Sequence, residues 1–260
     1  MKLLRKLSIL AALPLCASIV NAAEYKEIRF GVDATYAPFE SKAPDGNLVG
    51  FDVELGNAIC AEIKAECKWV ESDFDGLIPG LRANKFDGIL SSMTVTPSRE
   101  KAVDFTDELF SGTTCYVFKK GSGLSVDVES LKGKTVGFFQ GSIQENYAKS
   151  ILKKAGVKVQ SYQTQNQVYY DLVSGRLDAS IQDLLQAKEG FLNQPQGSGY
   201  EVSEPVVSEL LPSKTAIAVA KGNDDLKAQL NAAIKKIHEN GTYSRLQTKY
   251  FGDLNLYSGK

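Results

Sequence analysis

Leu81-Arg-Ala-Asn-Lys-Phe-Asp-Gly-Ile-Leu-Ser-Ser92 aligns without a gap on Leu172-Val-Ser-Gly-Arg-Leu-Asp-Ala-Ser-Ile-Gln-Asp183. Each copy reads as the end of a helix, a stop at Asn84 or Gly175, a basic residue, and a strand ending on a polar side chain. A polar group at the C-terminal end of a strand faces the edge where open α/β sheets bind ligands. A chain that makes this unit twice is expected to fold as two lobes facing one ligand.

The bulk composition agrees. The chain has 260 residues, 43% of them hydrophobic, enough to bury the cores of two lobes. The formal net charge is −1 and no basic stripe is present, which argues against nucleic acid as a partner. The first 22 residues form a separate object. Lys2, Arg5 and Lys6 precede a mostly apolar stretch from Leu7 to Val20, too short for a comfortable membrane span, and Val20-Asn21-Ala22 puts small residues at its end. Residues 1–22 are expected to be a secretory signal cut near Ala22 or Ala23, leaving the mature chain at a charge of about −4. A lipid anchor on Cys16 is disfavoured, because Leu13-Pro14-Leu15 lacks the small residue usual before such a cysteine. No later apolar run is long enough to span a bilayer, so a soluble periplasmic protein is expected.

Cys60 and Cys67 enclose six residues. In an oxidising compartment they would close a short-loop disulfide, the alternative being two buried thiols. Cys115 reads as a buried apolar residue. A catalytic thiol is disfavoured there because the single histidine, His238, sits far off on a predicted helix face.

Strands are predicted at Glu27–Asp33, Lys68–Glu71, Phe86–Ser92, Val103–Asp107, Cys115–Lys120, Lys134–Phe139, Val157–Tyr162, Leu177–Ile181 and Thr215–Ala220. Helices are predicted at Asp52–Ile63, Asp75–Ala83, from Thr96-Pro97, from Ser142 through Lys153, at Val168–Val173, Asp183–Phe191 and Asp224–His238, with a last short one around Tyr243 to Tyr250. The alternation gives an α/β class with mostly parallel sheets. Residues 23–110 together with 214–260 are read as a discontinuous first lobe and 115–210 as the second. Two crossings near 111–114 and 210–214 would form a hinge.

Several residues could carry function. Gly137-Phe138-Phe139-Gln140-Gly141-Ser142-Ile143-Gln144 reads as strand, glycine turn and helix start, where backbone amides attract an anion or simply make an ordinary βα turn. It lacks the phosphate-loop pattern of nucleotide-binding proteins. In Ser91-Ser-Met-Thr-Val-Thr-Pro-Ser-Arg99, hydroxyls at a strand end precede an arginine in a helix's first turn, where the helix dipole disfavours it. Arg99, Ser92, Thr94 and the Ser142–Ile143 amides could surround a carboxylate. The alternative for Arg99 is a surface ion pair with Glu100 or Asp104. Asp183 could hold a cation, cap a helix, or both. Tyr36 and Phe74 could pack on a ligand side chain or lie in the core, and Asp33 could take a distal cation.

These residues converge on a known family. Gly31-Val-Asp-Ala-Thr-Tyr-Ala-Pro-Phe-Glu40, Gly50-Phe-Asp-Val-Glu-Leu55, Ser91 to Arg99, Asp104-Phe-Thr-Asp107, Leu131-Lys-Gly-Lys134, Gly141-Ser-Ile-Gln-Glu145 and Asn240-Gly-Thr-Tyr243 resemble the periplasmic solute-binding proteins (family 3 type) of polar amino-acid ABC importers, above all the lysine/arginine/ornithine- and histidine-binding members. The resemblance covers nearly the whole mature chain. It implies a type II periplasmic-binding-protein fold closing over one basic L-amino acid, which is handed to a membrane permease and its ATPase, with a monomer, no cofactor and no metal. It also implies roles by position. Arg99 grips the α-carboxylate with Ser91, Ser92, Thr94 and the Ser142–Ile143–Gln144 helix start. Asp183 takes the α-ammonium, Tyr36 and Phe74 sandwich the side chain, and Asp33 binds its distal cation. The Cys60–Cys67 bridge matches the basic-amino-acid members. Ile143 stands where the family often has Thr, Thr94 replaces a common Ser, and Gln140 and Cys115 are placed to alter the distal pocket.

Two other functions share the fold. A periplasmic dehydratase of cyclic amino-acid precursors would need a general acid in the cleft, for which Glu145 or Glu40 could be proposed. A sensor-type module would need a downstream span or signalling domain.

Overall fold

The computed structural model describes residues 25–257; the signal-sequence and Cys16 expectations lie outside them. Two five-stranded sheets form the two lobes. The first runs in the order Glu66–Glu71, Glu27–Val32, Gly88–Ile89, Ala218–Ala220, Val103–Phe105. The second runs Lys158–Tyr162, Thr135–Phe139, Ala179–Asp183, Thr114–Lys119, Tyr200–Val202. In each, the first three strands and the fifth run in one direction, and only the fourth runs against them. The protein is an α/β molecule of the two-lobed type II kind.

The sequence repeat is a structural repeat at the level of single contacts. Gly88 pairs with Phe30, and its counterpart Ala179 pairs with Val136, so both third strands enter their sheets in the same register. Asn84 and Gly175, the two helix stops, both adopt left-handed φ, 56° and 77°. Asp87 accepts a hydrogen bond from the Arg29 amide at 2.9 Å, and Asp178 one from the Thr135 amide at 2.8 Å. Phe86 and Leu177 lie so close to Gly31 and Gly137 that a Cβ there would come within 2.5 Å and 2.3 Å of them. Only glycine fits under either side chain.

The lobes are tied by two crossings. Phe110–Ser111 pairs antiparallel with Lys214–Thr215, and the Gly112 amide donates to the Ser213 carbonyl at 2.8 Å. The helix Asp224–Glu239 buries Leu226, Leu230, Ile234 and Ile237 in the same core as Ile28, Phe30, Leu55 and Ile59 of the first lobe. The second lobe has separate cores on its two faces, one around Tyr116, Phe138 and Leu152, the other around Val117, Leu172 and Phe191. No helix among the described residues is long and apolar enough to cross a membrane.

Some elements differ from the periodicity reading. Residues 34–49, where no strand or helix is predicted, contain a small antiparallel sheet of Thr35–Tyr36, Glu40–Lys42 and Leu48–Val49. Its strands are too short to show alternation. Tyr200–Val202 is likewise a short edge strand that the sequence does not announce. The helix expected from Asp75 starts as a 3₁₀ turn at Phe74–Gly76 and becomes α-helical over Leu77–Arg82. The helices from Ile143 and Leu184 widen into π-turns at Ala148–Leu152 and Lys188–Leu192.

Cys60 and Cys67 form a disulfide across a Cα–Cα distance of 5.8 Å, joining the helix Phe51–Ile63 to the edge strand Glu66–Glu71. A loop this short restricts the unfolded chain modestly. Replacing both cysteines by serine is expected to lower stability by about 2–3 kcal/mol. Chemical denaturation of both proteins checks this, and equal midpoints would show that the bridge is dispensable.

Candidate functional site

Between the lobes lies a cleft of about 590 Å³. Ten of the expected site residues border it: Tyr36, Phe74, Ser91, Ser92, Thr94, Arg99, Ser142, Ile143, Gln144 and Asp183.

Arg99 is presented by a short helix, Pro97–Glu100, capped by Thr96, whose hydroxyl oxygen accepts from the Arg99 amide at 3.1 Å. The guanidinium turns back into the cleft. It donates to the Thr94 carbonyl at 2.6 Å and, across the cleft, to the Gly141 carbonyl at 3.0 Å. Its carbon sits 5.4 Å from the centre of the Phe74 ring. Asp104, the rival partner, pairs instead with Lys221 at 2.7 Å. Among the described residues no carboxylate forms an ion pair with Arg99. Burial pushes its pKa down to about 10, so it stays charged at neutral pH.

Asp183 ends the central strand of the second lobe and caps the helix that follows. Oδ1 accepts from the amides of Leu185 at 2.8 Å and Gln186 at 3.1 Å, and Oδ2 from that of Thr113 at 3.2 Å. A Cβ on Gly112 would lie 2.6 Å from Oδ2, so the crossing can pass this carboxylate only as glycine. Burial raises the Asp183 pKa to about 6, with the three amides working against the shift. Asp183 is therefore a helix cap, and among the described residues no cation forms an ion pair with it.

At the second helix start, Ser142 Oγ accepts from the Glu145 amide at 3.1 Å and donates to the Phe139 carbonyl. The first-turn amides of a helix have no intrahelical acceptor, which suits an anion. Glu145 accepts from the Gly141 amide at 2.6 Å and pairs with Lys149 at 2.7 Å, so it serves the turn and offers no free acid.

Behind Ser91 and Ser92 lies a layer absent from the sequence reading. Ser92 has a left-handed φ of 48°, held by Asp52, whose Oδ2 accepts from its amide at 2.6 Å and its hydroxyl at 3.2 Å. Ser91 donates to Glu40 at 2.9 Å and accepts from the Asp33 amide at 3.0 Å. Burial, and then the neighbouring Asp52, hold the Glu40 carboxyl well above its ordinary range at the border of the cleft.

Three expectations are revised. Asp33 does not border the cleft. Its Oδ1 accepts from the Thr35 amide and hydroxyl at 3.0 and 2.6 Å, and Oδ2 from the Phe74 amide at 2.9 Å. It faces a separate recess with Thr35, Lys42 and Asp73, and its work is to hold Phe74 in place. Cys115 is fully buried in the second lobe's core and Gln140 turns to Asp75, so neither lines the pocket. Phe139 was not singled out from sequence, yet its ring lies 5.8 Å from Tyr36, nearly parallel, and 5.3 Å from Phe74. Its place at a strand's C-terminal end is the signal that marked Ser92 and Asp183. Gly112, Thr113, Ser213 and Thr215 enter from the crossings, which no local pattern identifies.

Arg99 on the first lobe and Asp183 on the second thus bring opposite charges to one cleft. The molecule is a two-lobed solute-binding protein. Residues 28–253 match the bacterial extracellular solute-binding proteins, family 3, and the chain belongs to that family. It is 43% identical to the L-arginine-binding protein of Pseudomonas aeruginosa, over 95% of this chain and 97% of that one. It is 42% identical to the lysine/arginine/ornithine-binding periplasmic protein of Escherichia coli, over 96% of each. An ancestral arginine-binding protein solved with arginine superposes with a TM-score of 0.82 at 35% identity, covering 88% of this chain and all of that one.

A carboxyl whose folded pKa is raised binds a proton that the unfolded chain has released, so stability falls as pH rises through the folded value. For Asp183 that window runs from about pH 4 to about 6. Asp183→Asn keeps an oxygen for the Leu185 and Gln186 amides, gives up the Thr113 bond and removes the charge. The free variant is expected to be about 1 kcal/mol more stable near neutral pH, or about 2–4 °C in Tm. Calorimetry checks this; a lower Tm would mean the carboxylate is structural.

Proposed function

We propose that this protein captures one basic L-amino acid in the periplasm, as a monomer, and delivers it to the permease and ATPase of an ABC importer. The observation that carries the reading is the pair of oppositely charged groups on facing lobes, Arg99 and Asp183, neither of which has an ion-pair partner among the described residues. Arg99, with Ser92, Thr94 and the Ser142–Ile143 amides, would take the α-carboxylate, and Asp183 the α-ammonium. With Asp33 committed to Thr35 and Phe74, the distal cation would lie against the rings of Tyr36, Phe74 and Phe139, a cation–π contact worth about 0.5–2 kcal/mol. The ligand bridges residues 23–110 and 214–260 to residues 115–210, and the crossings at 111–114 and 210–214 serve as the hinge. The reaction is binding and closure only, with no bond made or broken.

Calorimetric titration of the mature protein with the twenty amino acids and ornithine tests the reading. Arginine, ornithine, lysine or histidine should bind in the micromolar range or tighter. If all four bind no better than millimolar while glutamine or glutamate binds tightly, the cationic assignment is wrong. Arg99→Met should weaken binding by about 2–5 kcal/mol, the usual result of removing one partner of a buried ion pair.

Affinity should also depend on pH. The ammonium needs Asp183 ionised, so below about pH 6 binding must first displace a proton. The affinity should then fall by about tenfold per pH unit. In Asp183→Asn this dependence should vanish along with most of the affinity.

A further inference from the structure

Outside the cleft, two exposed loops meet across its mouth. Gln140 ends the strand Thr135–Phe139 of the second lobe, and its side-chain amide donates to the carboxylate of Asp75 in the first. Both partners are anchored to their own lobe. The Gln140 amide donates to the Tyr162 carbonyl at 2.8 Å, extending the second sheet by one bond. Asp75 follows Phe74, whose amide is fixed by the buried Asp33 carboxylate at 2.9 Å. The neighbouring Gly141 touches the same residue: a Cβ there would stand 3.0 Å from Asp75 Cβ. The Gly141 carbonyl in turn takes the cross-cleft bond from Arg99. On the opposite rim, Gln186 Nε2 donates to the Ala37 carbonyl at 3.3 Å.

We infer that Asp75 and Gln140 form an interlobe latch that sets how long the lobes stay together, and hence the residence time of the ligand, without touching it. Neither residue borders the cleft. The bond between them exists only while the loops at residues 75 and 141 are in contact, so its free energy is absent once the lobes part. A contact made only in the closed state slows opening and leaves the ligand's first encounter with an open lobe unchanged. The role of Asp33 follows from the same geometry: by fixing Phe74 it fixes the latch carboxylate one residue on.

The inference rests on the binding reading above, and two measurements separate them. Asp75→Ala, Gln140→Ala and the double variant are compared with the wild type. The first readout is the interlobe distance from one spin label on each lobe, with and without saturating L-arginine. The second is stopped-flow association and release of L-arginine. Each single variant should shift the distance distribution toward longer separations and release arginine about fivefold faster, the effect of one exposed hydrogen bond. Association should be unchanged, and the double variant should be no worse than either single one. Distances and release rates equal to the wild type, or single effects that simply multiply in the double variant, would overturn the latch. If arginine does not bind the wild type, the ligand reading fails and the distance measurement alone decides the latch.

Discussion

The structure is organised around two buried charges that are not allowed to meet. Arg99 and Asp183 sit on different lobes, each surrounded by backbone dipoles of the sign it needs: carbonyls of Thr94 and Gly141 for the guanidinium, amides of Thr113, Leu185 and Gln186 for the carboxylate. Burying a charge without a counter-ion is costly, and the dipoles offset only part of that cost. What remains is a driving force for a molecule that brings both opposite charges at once. In the proposed reading solute recognition and lobe closure are one event, because the counter-charges would complete each other through the ligand.

Keeping those charges in place determines much of the surrounding chemistry. Ser92 is held in a left-handed conformation by Asp52, and Ser92 and Thr94 both border the cleft. Glu40 lies beside them, its carboxyl held well above its ordinary range by burial. Gly112 lets the crossing run against the Asp183 carboxylate. Strain and buried polarity collect at the site, where a rigid arrangement is needed.

The two lobes share a plan and differ where the ligand is handled. Asp87 and Asp178, Phe86 and Leu177, and Asn84 and Gly175 perform matching structural tasks in the two sheets. The last residues of the repeat diverge: Ser92 is a hydroxyl near the arginine, Asp183 the carboxylate opposite. One scaffold used twice supplies two strand ends facing each other, and the side chains at those ends decide what is bound.

The sequence by itself determined the α/β alternation and the two-lobe plan, through short-range rules such as helix stops, glycine turns and a polar group at a strand's C-terminal end. Its resemblance to a known family added the full set of ten residues that border the cleft. It could not place Asp33, because Asp33 in the cleft and Asp33 bonded to Phe74 read the same locally; the choice depends on an amide 41 residues away. Nor could it supply Phe139 as a third ring, the upward shift of the Glu40 carboxyl, or the lining contributed by the crossings. Those follow from burial and from approaches between distant segments. Only the tertiary structure fixes such quantities, since each depends on what the rest of the chain removes from water.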